Sequence, residues 1–225
     1  MASRRPALSA ARGAHVVVLA LLACAAQGTP LTRDELAKTC AEADDSSHCA
    51  RLVEEVQLRR LPNLALREGG VLKVTLFPSG AAAFADSEGL NGGRSFSLWD
   101  YMSEINAVVL FVTNGDEVSF LLVQRATGKT TELPSEPRLS PDRARLATAD
   151  FCEARCVNEI SIWRVTRDGV RKESSWKPRE TWSEAVASWT SATNLSIEYT
   201  IAGADASSKL ERRLADSDWI AAPAR

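Results

Sequence analysis

Between residues 71 and 202 the chain repeats one pattern, a short apolar run closed by a turn. The runs are "VLKVTLF" (71–77), "AVVLFVT" (107–113), "VSFLLVQR" (118–125), "ARLATADF" (144–151), "EISIWRVT" (159–166) and "LSIEYTIA" (195–202). Each is short for a helix and rich in Val, Ile, Leu, Thr and aromatic residues, the composition of strands. "PSG" (78–80), "NGD" (114–116), "TGK" (127–129) and "RDG" (167–169) separate them as turns. "NGD" between two apolar runs is a hairpin signal, because its residues tolerate the positive φ of tight two-residue turns. Regularly spaced short strands of this kind predict a mainly β domain, placed at residues 70–225.

Ahead of it, residues 29–62 read as an α-hairpin. "TRDE", Thr32 to Glu35, matches a capping box, and predicts a helix to about Glu42. "DDSS" (44–47) supplies a turn and the N-cap of a second helix ending at Pro62. In that helix Cys49, Leu52, Val53 and Val56 fall at i, i+3, i+4 and i+7, one apolar stripe. Helices this short are marginal alone and must dock on something.

The first residues carry Arg4, Arg5 and Arg12, no acid, and then the apolar run "VVVLALLA" (16–23). That is the pattern of a secretory signal peptide over residues 1–28. The run is shorter than the roughly 20 residues needed to cross a bilayer, and no later segment comes close. "LLAC" (21–24) also resembles a bacterial lipobox. Cleavage would then fall after residue 23, with Cys24 lipidated as the first mature residue. Both readings stand at this point, and both place the mature chain outside the cytoplasm, in the periplasm or anchored at the outer membrane. Removing the signal takes three arginines and shifts the formal net charge from −2 to −5. No basic block remains, so nucleic acid is not an expected partner.

Without Cys24 the cysteines number four: Cys40, Cys49, Cys152 and Cys156. An even set in an exported chain implies disulfides. Four cysteines allow three connectivities, and proximity favours Cys40–Cys49 and Cys152–Cys156. Zinc would need a second closely spaced pair and more ligands than His48 supplies. A redox pair is usually Cys-x-x-Cys at a helix start, whereas "CEARC" joins two strands. The expected role is a covalent staple.

"FLLVQRATGKTTELPSEPRLSPDRARLATAD" (120–150) resembles a blade of the TolB-like and WD-repeat-like β-propellers. The likeness lies in a strand ending in "TG" and in Ser140-Pro141-Asp142, with Arg143 standing where those blades usually have glycine. It continues through "EISIWRVTRDG" (159–169) and "ASWTSATNLSIEYT" (187–200), within residues 106–202. The resemblance implies propeller-like antiparallel units. Residues 70–225 fall just short of four blades of about 40–45 residues, which implies an incomplete or irregular propeller. The α-hairpin is then a candidate cover for an open sheet edge.

Reactive constellations are sparse. His48 is the one histidine after the signal and sits at a helix start beside a disulfide cysteine. No Gly-x-Ser-x-Gly elbow, phosphate loop or His-Glu-x-x-His is present. "FADSEGLNGG" (84–93) groups Asp86, Glu88 and Asn91, a weak calcium pattern that reads more simply as a polar loop. No cofactor or metal is expected. Among the tryptophans, Trp99, Trp163, Trp189 and Trp219 sit in strand-like settings and are expected in the core. Trp176 and Trp182 flank "KPRET" and are candidates for a binding surface. The expected function is non-catalytic binding of a protein or another envelope component. The alternative is an envelope hydrolase using Asp86, Asp142 or Asp150.

Overall fold

The computed structural model describes residues 30–89, 93–152 and 154–223. The fold is mainly β, with two N-terminal helices ahead of four antiparallel sheets. The first sheet contains β1 (Ala65–Glu68), β2 (Val71–Thr75) and β3 (Ala81–Ala85). The second is the meander β4 (Arg94–Met102), β5 (Ala107–Asn114), β6 (Glu117–Gln124) and β7 (Thr130–Leu133). The third runs β8 (Arg138–Leu139), β9 (Arg145–Asp150), β10 (Glu159–Thr166) and β11 (Gly169–Trp176). The fourth is β12 (Trp182–Trp189), β13 (Asn194–Ile201) and β14 (Ser207–Arg213); β15 (Ile220–Ala221) then returns to pair with β11. The sheets are thus irregular in strand number. The β region also begins at Ala65, ahead of the boundary expected at 70.

The second sheet is the centre of the molecule. Every residue of β5 from Ala107 to Thr113 is buried. Side chains alternate across a strand, so a continuous apolar run means burial on both faces. Val108, Leu110 and Val112 pack with Leu72 and Val74 of the first sheet. Ala107, Val109 and Phe111 pack the other way, with Phe120, Leu122, Leu133 and Leu146. A third core joins the last two sheets through Ile160, Ile162, Trp176, Trp182, Leu195 and Ile197. Each such side chain contributes about 1.5–3 kcal/mol by leaving water.

The helices form a braced hairpin. In α1 (Arg33–Thr39) both bonds of the capping box are made: Thr32 Oγ1 accepts from Glu35 N, and Glu35 accepts from Thr32 N. Asp45 caps α2 (Ser46–Arg60) by accepting from His48 N at 2.8 Å. Cys40 and Cys49 are disulfide-bonded, with Cα atoms 4.8 Å apart.

The buried face of α2 is not the expected stripe. Ala50, Val53, Glu54 and Gln57 are buried, while Cys49, Leu52 and Val56 are only partly so. The inward face is rotated by about one residue, or roughly 100°, because α2 packs against the open edge of β4. That edge presents backbone groups rather than apolar surface. Phe96 N donates to Asp86 Oδ1 at 2.9 Å, and Leu98 N to Glu54 Oε2 at 2.9 Å. Phe96 O accepts from Arg51 (2.8 Å) and from Arg67, and Trp99 O accepts from Gln57 Nε2 at 2.8 Å. Side chains do here what a neighbouring strand would do. The hairpin covers a sheet edge, and polar residues cover it because a bare edge needs donors and acceptors.

The Ser140-Pro141-Asp142 stretch forms the tight turn between β8 and β9. Asp142 Oδ1 accepts from Ser140 Oγ at 2.6 Å and Ala144 N at 3.1 Å. Those bonds hold its carboxyl below the usual aspartate range. Arg143 takes φ 62°, left-handed backbone that favours glycine.

Candidate functional site

A cleft of about 940 Å³ opens between the second sheet and the β9–β10 connection. One wall is the end of β5 and the start of β6, with Val112, Val118, Ser119 and Phe120; Glu132 of β7 adjoins them. The other is Ala149, Asp150 and Phe151 with the loop that follows. That loop is closed by a Cys152–Cys156 disulfide, with Cα atoms 5.4 Å apart. Cys152 N donates to Asn158 Oδ1 at 3.3 Å, and Val157 N to Asp150 Oδ2 at 2.9 Å. Val118 and Val157 are large apolar side chains left exposed, 40% and 54%. Both line the cleft.

The electrostatics centre on Asp150. It closes β9 and pairs in register with Glu159, which opens β10. Directly opposed residues on antiparallel strands share a face, so two carboxylates are brought together at the base of the loop. Lys172 of β11 donates to Glu159 Oε1, and Ser161 Oγ donates to the same oxygen at 2.8 Å. Burial pushes Glu159 up, but these two bonds outweigh it and its carboxyl is held low. Burial likewise raises Asp150; the bond from Val157 N and the charge of Lys172 only partly offset burial and the charge of Glu159, so its carboxyl stays above the usual range. Lys172 is bonded to Glu159, and among the described residues no cation forms an ion pair with Asp150.

Of the three carboxylates singled out in the sequence, only Asp150 lines this cleft. Asp86 is bound by Arg51 at 2.6 Å and Arg67 at 3.1 Å in the helix-docking cluster. With two guanidinium groups on its carboxylate, it is poorly placed to join Glu88 around a calcium ion. Asn91 lies outside the described residues, and Glu88 is exposed in its loop. Asp142 is held in its turn. His48 Nδ1 accepts from Asp44 N at 3.3 Å at the start of α2 and takes no part in the cleft. Among the described residues no group of three or more His, Cys, Asp or Glu is arranged to hold a metal. No helix there is long and apolar enough to cross a membrane, and Cys24 lies outside the described residues.

The tryptophan expectation is corrected for one pair. Trp176 and Trp182 are 8% and 3% exposed, so they offer no binding surface. Residues 177–181 do form a loop, but the two indoles end β11 and start β12 and turn inward. Trp182 stacks on Tyr199 at 3.9 Å, and Trp176 Nε1 donates to Asp218 at 2.9 Å beneath the Arg212 guanidinium. Trp99, Trp163, Trp189 and Trp219, expected in the core, are partly buried and pack against the cores.

Glu159, Lys172, Val118 and Val157 did not stand out in the sequence. One signal was available: in "DFCEARCVNE" (150–159) an acid stands at each end of a loop between antiparallel strands, and so the two must face each other. No family model, no curated protein and no solved structure matches this chain.

Proposed function

We propose that this chain is a non-catalytic binding protein of the bacterial cell envelope. In this reading it is periplasmic or held at the outer membrane through a lipidated Cys24, and it belongs with irregular TolB-like or WD-repeat-like propellers. The cleft beside the Cys152–Cys156 loop is its binding surface, and the partner is a protein or another envelope component. The supporting observation is the make-up of that cleft. Its volume falls in the roughly 300–1,000 Å³ range of ligand sites, apolar side chains stand exposed at it, and a disulfide ring shapes one wall. The two disulfides also suit an oxidising compartment.

The alternative, an envelope hydrolase using a carboxylate, rests on Asp150 alone, whose raised proton affinity suits a general acid. A panel of ester, glycoside and peptide substrates separates the readings. The binding reading expects no turnover, and expects Val118→Asp or Val157→Asp to abolish retention of a component captured from envelope extract. Turnover abolished by Asp150→Asn would refute it. For the anchor, Cys24→Ser should move the protein from the membrane to the soluble envelope fraction; an unchanged distribution rules lipidation out.

A further inference from the structure

The same cleft holds a buried carboxylate with a single hydrogen bond and, among the described residues, one buried hydroxyl with none. Asp150 is 8% exposed, and among the described residues its carboxylate accepts one hydrogen bond, from Val157 N to Oδ2. Ser135 also lines the cleft, and among the described residues its Oγ is buried with no partner. Buried polar groups are satisfied in all but a few cases, and each exception calls for an explanation. The ionic balance points the same way. Asp150 and Glu159 face each other; among the described residues Lys172 is bonded to Glu159, whose carboxyl also feels the charge of Lys177, and neither lysine is bonded to Asp150. The other cations of the cleft are occupied or remote: Arg155 lies 3.8 Å from Asp116, and Arg94 lies over the Phe96 ring at 5.0 Å.

We infer that the cleft binds an extended peptide segment of a partner, seating a Lys or Arg side chain on Asp150 and apolar residues on Val118 and Val157. This rests on the binding reading above and names the chemistry of the ligand. A cation arriving from the partner gives Asp150 a counter-charge in a cleft whose lining carries Asp116, Glu117, Glu132 and Asp150 against Arg94 and Arg155. The alkyl stem of Lys or Arg can lie along Phe120 and Phe151 while its head reaches the carboxylate. The cleft is too large for one ammonium group, so a free alkylamine would leave both valines bare. A peptide of several residues covers them.

The test uses the purified mature protein and four pools of acetylated, amidated pentapeptides. Their central residue is Lys, Arg, norleucine or Glu, and flanking positions are randomised among apolar residues; n-pentylamine is a fifth ligand. Retention of the Lys and Arg pools should exceed that of the norleucine and Glu pools at least tenfold, the scale expected for a partly buried charge pair. Asp150→Asn should erase that difference, while Asp142→Asn, in the turn outside the cleft, should preserve it. Asp150→Asn can still accept from Val157 N, and its melting temperature should equal or exceed that of the unaltered protein. The norleucine comparison needs no protein variant, so the proposal stays testable if that variant folds poorly. Equal retention of Lys and norleucine pools, or no retained pool, overturns the cation. Equal affinity for n-pentylamine overturns the peptide. Cleavage of a retained pool that stops in Asp150→Asn would instead refute the binding reading itself.

Discussion

Glu54 is the residue on which the helix–sheet junction depends most directly. Its side chain is 5% exposed, and it accepts from Arg67 Nε at 2.9 Å, Arg67 Nη2 at 2.7 Å and Leu98 N at 2.9 Å. Glu54→Ala leaves Leu98 N–H without an acceptor, a cost of about 1–3 kcal/mol. It also leaves Arg51 and Arg67 sharing Asp86 alone. Breaking a buried ion pair costs about 3–5 kcal/mol, but Arg51 is 31% exposed and Arg67 17%, so water can recover part of that. The expected net loss is about 3 kcal/mol, at the low end of the buried-pair range. In urea, with a slope of about 2 kcal/mol/M, the unfolding midpoint followed by tryptophan fluorescence should fall by about 1.5 M. Glu55→Ala is the control, since Glu55 is exposed and, among the described residues, pairs only with Arg59, at 3.9 Å; its midpoint should not move. A buried ion cluster can often be exchanged for apolar residues at no loss. Here that exchange should fail, because the partners include backbone groups of β4. Arg51→Met, Glu54→Leu and Arg67→Met together should therefore destabilise the chain and expose an edge that self-associates. A midpoint shift under about 0.5 M for Glu54→Ala, or a stable monomeric triple variant, would refute the edge-cover account.

Three further outcomes are expected. Burial pushes the Asp100 carboxyl up to about 6, with Tyr101 N and Arg138 opposing and Glu136 and Glu104 adding to it. The folded state thus holds a proton that the unfolded chain releases near 3.8, so stability falls as pH rises between those values, by about 3 kcal/mol in all. Asp100→Asn should match the unaltered protein at pH 4 and exceed it at pH 8, read by urea midpoints; equal midpoints at pH 8 would contradict the burial of that carboxyl. Arg143→Gly should stabilise by about 0.5–1 kcal/mol in the same assay, since it relieves left-handed strain of about 1–2 kcal/mol at the expense of unfolded-chain entropy; destabilisation would show that the Arg143 side chain has a role of its own. Replacing Cys40 and Cys49 by serine should cost about 2.7 kcal/mol and replacing Cys152 and Cys156 about 2 kcal/mol, from ring sizes of ten and five residues. Non-reducing peptide maps check the pairing directly, and a crossed linkage would refute it.

What the sequence made legible follows from where each strand lies. "AVVLFVT" and "EISIWRVT" read clearly because they are internal strands with apolar groups on one or both faces. Two of the strands that were missed carry little of that signal. β3 is "AAAFA", four alanines of low strand preference, and β14 is "SSKLERR", mostly exposed. They are strands because a neighbour supplies the ladder, which no window of sequence contains. The same limit rotated the reading of α2: an apolar stripe is the right guess for a helix on a sheet face, and the wrong one for a helix on a sheet edge. Trp176 and Trp182 were misjudged because they bracket a charged loop. Burial is decided by where the indole points, and both point back along their strands into the third core.

The cleft joins two walls of different construction. β5 from Ala107 to Thr113 and β6 from Phe120 to Gln124 are buried on both faces, so their positions are set by two cores at once. Among the described residues of the loop none belongs to a core, and Cys152, Cys156 and Val157 are held by the disulfide and the bonds from Cys152 N and Val157 N. Asp150 is the last residue of a strand fixed to β10, and its carboxylate accepts from Val157 N across the loop. The cation inferred for Asp150 therefore falls where β9 meets the loop, and the Cys152–Cys156 bond closes "CEARC" into a ring beside it, as expected of a covalent staple.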